Sequence, residues 1–135
     1  MRIASRGCGR TIVEVHQDET AALSQTLNEV LHALRIDDCE ARLGASREQA
    51  SVLMHRLLRL FHQFSGNEER EFDLSKDDAK MLQRAAGLCV EHINEREFST
   101  RVGASIDEVA AYVKVLGLIV GIEGTEETGN RRGVS

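Results

Sequence analysis

The chain has 135 residues, a formal net charge of −5, no proline and only 4% aromatic residues. This length suits one domain with a single core, and the acidic balance argues against nucleic acid as the main partner, because proteins that depend on phosphate contacts are usually basic. The three cysteines are scattered and odd in number, which argues against a disulfide framework and favours a reducing, cytoplasmic location.

The first ten residues, MRIASRGCGR, contain three arginines but lack the apolar stretch of a signal peptide. We predict a flexible N-terminal arm over residues 1–10. No apolar run approaches the ~20 residues that a membrane-spanning helix needs, so we expect no membrane partner.

Residues 11–64 predict a short strand, a long helix, a short helix and a second long helix. The apolar residues Ile12, Val13 and Val15 indicate the strand. The first long helix carries one apolar stripe, formed by Leu23, Leu27, Val30, Leu31 and Leu34.

A tight turn separates the short helix from the second long helix. Gly44 is predicted to end the short helix in the left-handed conformation, which costs glycine little. Ser46 then caps the next helix, and Gln49 completes a capping box. Because one helix ends and the next begins within three residues, we expect the two to cross at a steep angle.

Residues 65–122 predict the same order of elements again. Phe72 and Leu74 indicate a strand, and Gly103 and Ser105 form a second turn and cap. The first long helix here has its own predicted apolar stripe, formed by Leu82, Ala85, Ala86, Cys89, Val90 and Ile93. Residues 123–135 have no usable periodicity and are predicted to be disordered.

Two similar phrases suggest an internal duplication. ARLGASREQA at 41–50 and TRVGASIDEV at 100–109 are offset by 59 positions, and the apolar pattern matches at that offset. We predict a mainly α protein, of class α+β with two short strands. Its two strand–helix–helix-turn-helix units are expected to form a tandem pseudo-twofold repeat that shares one core in one domain. The alternative is two unrelated helix junctions that converged on one turn.

The two turns resemble the helix-turn-helix of bacterial DNA-binding proteins. CEARLGASREQASVL (39–53) and FSTRVGASIDEVAAY (98–112) each place a glycine at the turn and apolar residues at the inward positions of the second helix. The resemblance implies a steep helix crossing and, as one option, nucleic-acid binding. TLNEV (26–30) and RLGAS (42–46) also resemble an ALNEV…RLGVS pattern of uncharacterised bacterial proteins, which implies no activity.

A polar stripe follows the first turn, and it is the candidate binding surface for nucleic acid or a partner. Its members are Arg47, Ser51, His55, Arg56, Arg59 and His62. The second copy instead offers an acidic and then apolar surface, formed by Ile106, Asp107, Glu108, Ala110 and Ala111. Three interpretations stay open for the stripe: a solvated helix face, a nucleic-acid face, or a site for an acidic protein partner.

The residues give little support for catalysis, a metal or a cofactor. Cys89 and His92 have the spacing of two metal ligands. A structural zinc site usually has four ligands, and the sequence contains no second pair. The repeated serines are explained as helix caps, and RGCGR (6–10) lacks the strand-then-helix context of a phosphate loop. We therefore predict no catalytic, cofactor-binding or metal-binding residues.

The predicted function is that of a small, cytoplasmic, non-enzymatic protein-interaction module of unknown partner, with self-association included. The alternative is a helix-turn-helix DNA- or RNA-binding regulator that uses the stripe of the first copy. A small enzyme ranks third, and would need a concave polar pocket near His16, His32 or His92.

Overall fold

The computed structural model describes the backbone of residues 1–7 and 9–132, and the side chains of residues 1–7 and 9–121. The elements in chain order are β1 (Arg2–Gly7), β2 (Arg10–Val15), α1 (Gln17–Asn28), α2 (Cys39–Leu43), α3 (Arg47–Phe61), β3 (Arg70–Ser75), α4 (Lys76–His92), α5 (Glu95–Val102) and α6 (Ile106–Arg132). One π-helical turn, Glu29–Ala33, continues α1. The protein is mostly helical with a small antiparallel sheet, as the α+β prediction requires.

The sheet has three strands, so the prediction of two was one short. Its order is β1-β2-β3, and the additional strand, β1, lies within residues 1–10, which we predicted to be a flexible arm. Ile3 is the only large apolar residue of β1, and this is why the sequence pattern did not indicate a strand. Pairing with β2 and contacts of the Arg2 guanidinium with Glu14 and Glu69 hold the strand in place.

The two predicted strands, β2 and β3, pair with each other. They run antiparallel, and Val13 lies opposite Phe72 in the register. On one face of the sheet Val13, Val15, Phe72 and Leu74 are buried, whereas Glu71 and Asp73 on the other face are exposed. The helices cover the apolar face, which a small sheet needs in order to be stable.

The helices pack in matching pairs. Helix α1 packs on α3 and α4 packs on α6, and α1 and α4 also contact each other. The two short helices cross over: α5 contacts α1, and α2 contacts α4. The elements therefore enclose one continuous core, whose largest fully buried side chains include Phe98, Leu27, Leu57, Leu82 and Leu116.

The C-terminal segment is described only in part. The backbone of α6 continues to Arg132. The predicted disordered tail, 123–135, falls on residues whose side chains lie outside the described part of the chain, and 133–135 lie outside it altogether. Among the described residues, no helix combines the length and apolarity needed to cross a lipid bilayer.

Candidate functional site

Both helix junctions contain a left-handed glycine followed by a serine cap. Gly44 has a φ of +74° and Gly103 a φ of +87°, and each ends the short helix before it. The Ser46 hydroxyl accepts a hydrogen bond from the Gln49 backbone N–H at 3.0 Å. The Ser105 hydroxyl accepts one from the Glu108 backbone N–H, also at 3.0 Å. These four residues act as turn and cap residues, which leaves the serines committed to backbone contacts.

The guanidinium of Arg56, in the middle of the predicted stripe, faces the protein. It forms an ion pair with Asp78, with 3.1 Å between Nη1 and Oδ2, and it also donates to the Asp73 carbonyl. Its carbon Cζ lies 4.8 Å from the centre of the Phe72 ring, a cation–π distance. Arg56 therefore ties α3 to β3 and α4 and is not free to bind phosphate.

Arg47 is also engaged, because its guanidinium donates to the Leu31 carbonyl. Ser51 is half-buried, and His55, Arg59 and His62 are exposed. Within the described part of the chain, only Arg59 of the three arginines has no hydrogen bond or ion pair. The helix thus presents one uncommitted arginine, well short of a basic face.

The outer face of α6 has a different character. The exposed residues on this face of α6 include Asp107, Ala110, Ala111, Lys114, Leu118 and Gly121. The Leu118 side chain is 57% exposed, and it stands 59 positions after Arg59. At the 59-residue offset Ala110, Leu118 and Gly121 stand where α3 has Ser51, Arg59 and His62, and the exposed charged residues of the described part of α6 are Asp107, Glu108 and Lys114.

An apolar groove adjoins this face. It lies between α4 and α6, has a volume of about 320 Å³, and is lined by residues that include Gly87, Val90, Ile106, Ala110 and Val113. Val90 is 45% exposed, so its placement on the buried stripe of α4 was wrong. Position 90 falls at the edge of that stripe, and the adjacent Gly87 leaves its side chain uncovered. We call the groove together with Ala111 and Leu118 the α4–α6 surface.

A polar cleft lies near His16, one of the three positions where an enzyme would need a pocket. It has a volume of about 460 Å³ and is lined by His16, Gln17, Asp18, Gly66 and Asn67. The His16 Nε2 atom is 3.4 Å from a Glu69 carboxylate oxygen. Among the described residues, no hydrogen bond joins the imidazole to a serine, threonine or cysteine, so the cleft lacks the nucleophile–base pair of an acyl-transfer site.

A buried polar cluster links the two halves of the chain. The Glu29 carboxylate is buried and pairs with the Arg101 guanidinium, and this hydrogen bond raises the pKa of Arg101. Burial raises the pKa of the Cys89 thiol to about 12; the negative charge of Glu29 adds to this effect, and Arg101 opposes it. A thiol with this pKa is almost entirely protonated at neutral pH and is a poor nucleophile.

A second ion pair crosses between the halves in the opposite direction. The Arg42 guanidinium donates to the Glu91 carboxylate at 2.8 Å, and this hydrogen bond lowers the pKa of Glu91. Arg42 and Arg101 are the residues that open the two RLGAS-like phrases. Each therefore reaches the long helix of the other half.

Metal ligands are not assembled anywhere in the described part of the chain, where no cluster of three or more His, Cys, Asp or Glu side chains could hold an ion. The Cys89 thiol is directed at the Thr26 carbonyl, at 3.5 Å, and His92 Nδ1 lies 3.1 Å from the Leu88 carbonyl. The Cys89–His92 spacing therefore does not produce a shared site.

Comparison with known proteins gives no relative from which a role could be transferred. No protein-family model matches the chain, and neither the curated proteins nor the solved structures yield a match. The exposed surfaces described above are therefore the features of the molecule that bear on its function.

Proposed function

We propose that this protein is a small, non-enzymatic protein-interaction module that binds its partner through the α4–α6 surface. The observation that carries the proposal is the exposure of Val90 and Leu118 beside an apolar groove. Contiguous apolar surface is uncommon on monomeric proteins and marks interaction sites, whereas single exposed apolar residues are ordinary.

The shape of this surface favours a helical partner segment. The groove runs between two helices, and its lining combines the small residues Gly87 and Ala110 with the branched residues Val90, Ile106 and Val113. Small residues allow a partner backbone to approach closely, and the branched ones supply apolar area to bury. An amphipathic helix that lies in such a groove gains about 25 cal/mol for each Å² of apolar surface removed from water.

The alternative, a helix-turn-helix regulator of DNA or RNA, has less support. Affinity for nucleic acid comes largely from phosphate neutralisation, so it needs several free cationic groups on one face. Arg47 and Arg56 bind protein carbonyls and a carboxylate, which leaves Arg59 with His55 and His62. The matching helix α6 places Asp107 and Glu108 at its first turn, where a recognition helix would meet phosphate.

An enzymatic role is the third possibility, and the described side chains give it little support. The cleft at His16 contains acid–base residues without a nucleophile, and the buried Cys89 is held protonated. We therefore keep the non-enzymatic proposal. The two described cysteines, Cys39 and Cys89, are unpaired thiols, which supports a reducing cytoplasm as the place of action.

We further propose that the two halves are related by a pseudo-twofold axis that passes through the Val13–Phe72 pair. At the 59-residue offset these two residues are equivalent, and they face each other in the sheet. The crossed contacts of α5 with α1 and of α2 with α4 fit the same axis. The equivalent residues Arg42 and Arg101 each pair with a glutamate of the other half, Glu91 and Glu29, which are not themselves equivalent at this offset. Superposition of residues 12–60 on 71–119 in an experimental structure, by a rotation near 180°, tests this proposal.

Site-specific photocross-linking tests the proposed function. A photoreactive amino acid at position 118 samples the α4–α6 surface, and one at the equivalent exposed position 59 of α3 is the matched control. In cells that encode the protein, we expect cross-links to another polypeptide chain, of either the same or a different protein, from position 118 and few or none from 59. Equal yields at the two positions, or no protein adduct at 118, would contradict the proposal.

A further inference from the structure

We infer that the occupant of the α4–α6 surface is a second copy of this chain, bound so that the two α6 helices lie antiparallel. This inference rests on the proposed function and names its partner. It follows from the order of charges and small residues along the exposed face of α6, where the side chains of Asp107 and Lys114 form no hydrogen bond or ion pair with the described residues.

The charges on this face are self-complementary. Asp107 and Lys114 are both exposed and seven residues apart, so they lie on one side of the helix, about 10 Å apart along its axis. An antiparallel pair with its twofold axis between Ala110 and Ala111 places Asp107 of each copy opposite Lys114 of the other. A parallel pair would instead place like charges together, which costs free energy.

The side chains at the centre of this arrangement are small. Ala110 of one copy meets Ala111 of the other, and alanine permits two helices to approach at the short end of the usual 8–10 Å separation. Leu118 then lies near the Gly103–Ala104 turn of the second copy, where a Cβ added to Gly103 would meet no atom within 4 Å. The symmetric contact thus covers the most exposed leucine of the described chain.

The outer face of α3 is less suited to such an arrangement. On α3 the equivalents of Asp107 and Lys114 are Glu48 and His55, and Arg59 stands where α6 has Leu118. An antiparallel pair of α3 helices would bury Val52, which is 56% exposed, but it would also desolvate the charge of Arg59. A contact made by one helix face and the adjoining groove is smaller than a standard interface of about 1,600 Å², so we expect a weak, micromolar dimer.

Charge reversal with a compensating double change tests the inference on the purified full-length protein. The variants are Asp107→Lys, Lys114→Asp and the double variant Asp107→Lys/Lys114→Asp, measured by sedimentation velocity between about 10 μM and 1 mM at low salt. Each single variant creates two repulsive pairs at the twofold contact, and we expect its dimer dissociation constant to rise about tenfold or more. The double variant restores opposite charges and should return towards the original value.

Glu48→Lys is the matched control, because it makes the same charge change at the same position of the other second helix, α3. It should leave the dimer dissociation constant unchanged, and circular dichroism should show that all variants are folded. An original protein that stays monomeric at 1 mM overturns the inference, and so does a double variant that associates no better than the single ones.

The two proposals fail in different ways. If the purified protein is monomeric and position 118 still cross-links to a different protein in cells, the self-association is wrong and the interaction module stands. If position 118 cross-links to no chain in cells, the proposed function itself is wrong.

Discussion

Helix α3 packs on α1 and helix α6 packs on α4, yet the two differ where they meet solvent. Both follow a left-handed glycine and a serine cap, and both bury a leucine at the same position, Leu57 and Leu116. The outer face of α3 carries Arg59 and two histidines, whereas that of α6 carries alanines and Leu118. The inner faces maintain the core, whereas the outer faces make few contacts within the protein, so we expect binding specificity to reside on the outer faces.

The largest effects should come from the shared inner faces. Leu57→Ala and Leu116→Ala each remove a side chain with no solvent exposure, and each should lower the free energy of unfolding by about 2–5 kcal/mol. Urea denaturation of the two variants measures the losses, with Leu118→Ala as an exposed control. Similar losses would support equal roles in the core, and a loss below about 1 kcal/mol at either site would contradict them.

The next prediction compares two arginines of α3, one whose side chain contacts the protein and one whose side chain is exposed. Arg56→Ala removes the ion pair with Asp78, the hydrogen bond to the Asp73 carbonyl and the contact with the Phe72 ring. We expect a loss of about 1–2 kcal/mol of unfolding free energy. Arg59→Ala, one turn further on, is the control and should change stability by less than about 0.5 kcal/mol. Equal effects of the two substitutions would refute the assignment of Arg56 as a structural residue.

A smaller effect is expected at the two turns. Gly44→Ala and Gly103→Ala place a Cβ on a left-handed residue, which should cost about 1 kcal/mol each. At Gly44 the new Cβ would come within 2.6 Å of Arg84 Nη1, but this is the end of a flexible side chain that can move, so the additional loss should be small. Thermal denaturation compares the melting temperatures of the two variants. A Gly103→Ala variant with the melting temperature of the original protein would show that the turn tolerates ordinary residues.

A further difference should be seen only at alkaline pH. At the position equivalent to Cys89 the first half has Val30, so Cys89→Val makes the two halves alike. The raised pKa means that the folded protein keeps the thiol proton while the unfolded chain loses it. The contribution of the protonated Cys89 thiol to the free energy of unfolding is therefore fully present below about pH 9. It is lost progressively as the pH rises towards about 12.

Denaturation of the original protein and of Cys89→Val at pH 7 and pH 10 measures this contribution. The variant should lose less stability between the two pH values. The raised pKa of Tyr112, about 12 and caused mainly by burial, adds an alkaline loss that both proteins share. A variant whose loss matches or exceeds that of the original protein would disprove a protonated, buried Cys89.

Much of the architecture followed from local patterns in the sequence. The helix ends were predictable because glycine and serine at fixed spacing have a specific backbone role, and Gly44, Ser46, Gly103 and Ser105 all stand at helix junctions. Strands β2 and β3 were predicted from their apolar residues, including Val13 and Phe72. Strand β1 was not, because pairing with β2 and charged cross-strand contacts hold it without an apolar pattern.

The candidate surface was harder to predict than the fold. The stripe of α3 was evident from helical spacing, but spacing does not show that the Arg56 guanidinium turns towards Asp78 and Phe72. Val90 was placed in the core because helical spacing sets it on the apolar stripe of α4, but it lies at the edge of that stripe and is 45% exposed. Exposure of this kind depends on contacts between distant elements, which periodicity does not encode.

The π-helical turn after α1 has a consequence for thiol accessibility. It is followed by Arg35 and Asp38, two non-glycine residues with φ of 50° and 56°, so the backbone here is held against its local preference. The Cys39 thiol donates to the Val30 carbonyl within this turn, and the Cys89 thiol to Thr26 one turn before it. Local opening of this segment would uncover both thiols at once, and alkylation rates in the native state would then report this opening ahead of global unfolding.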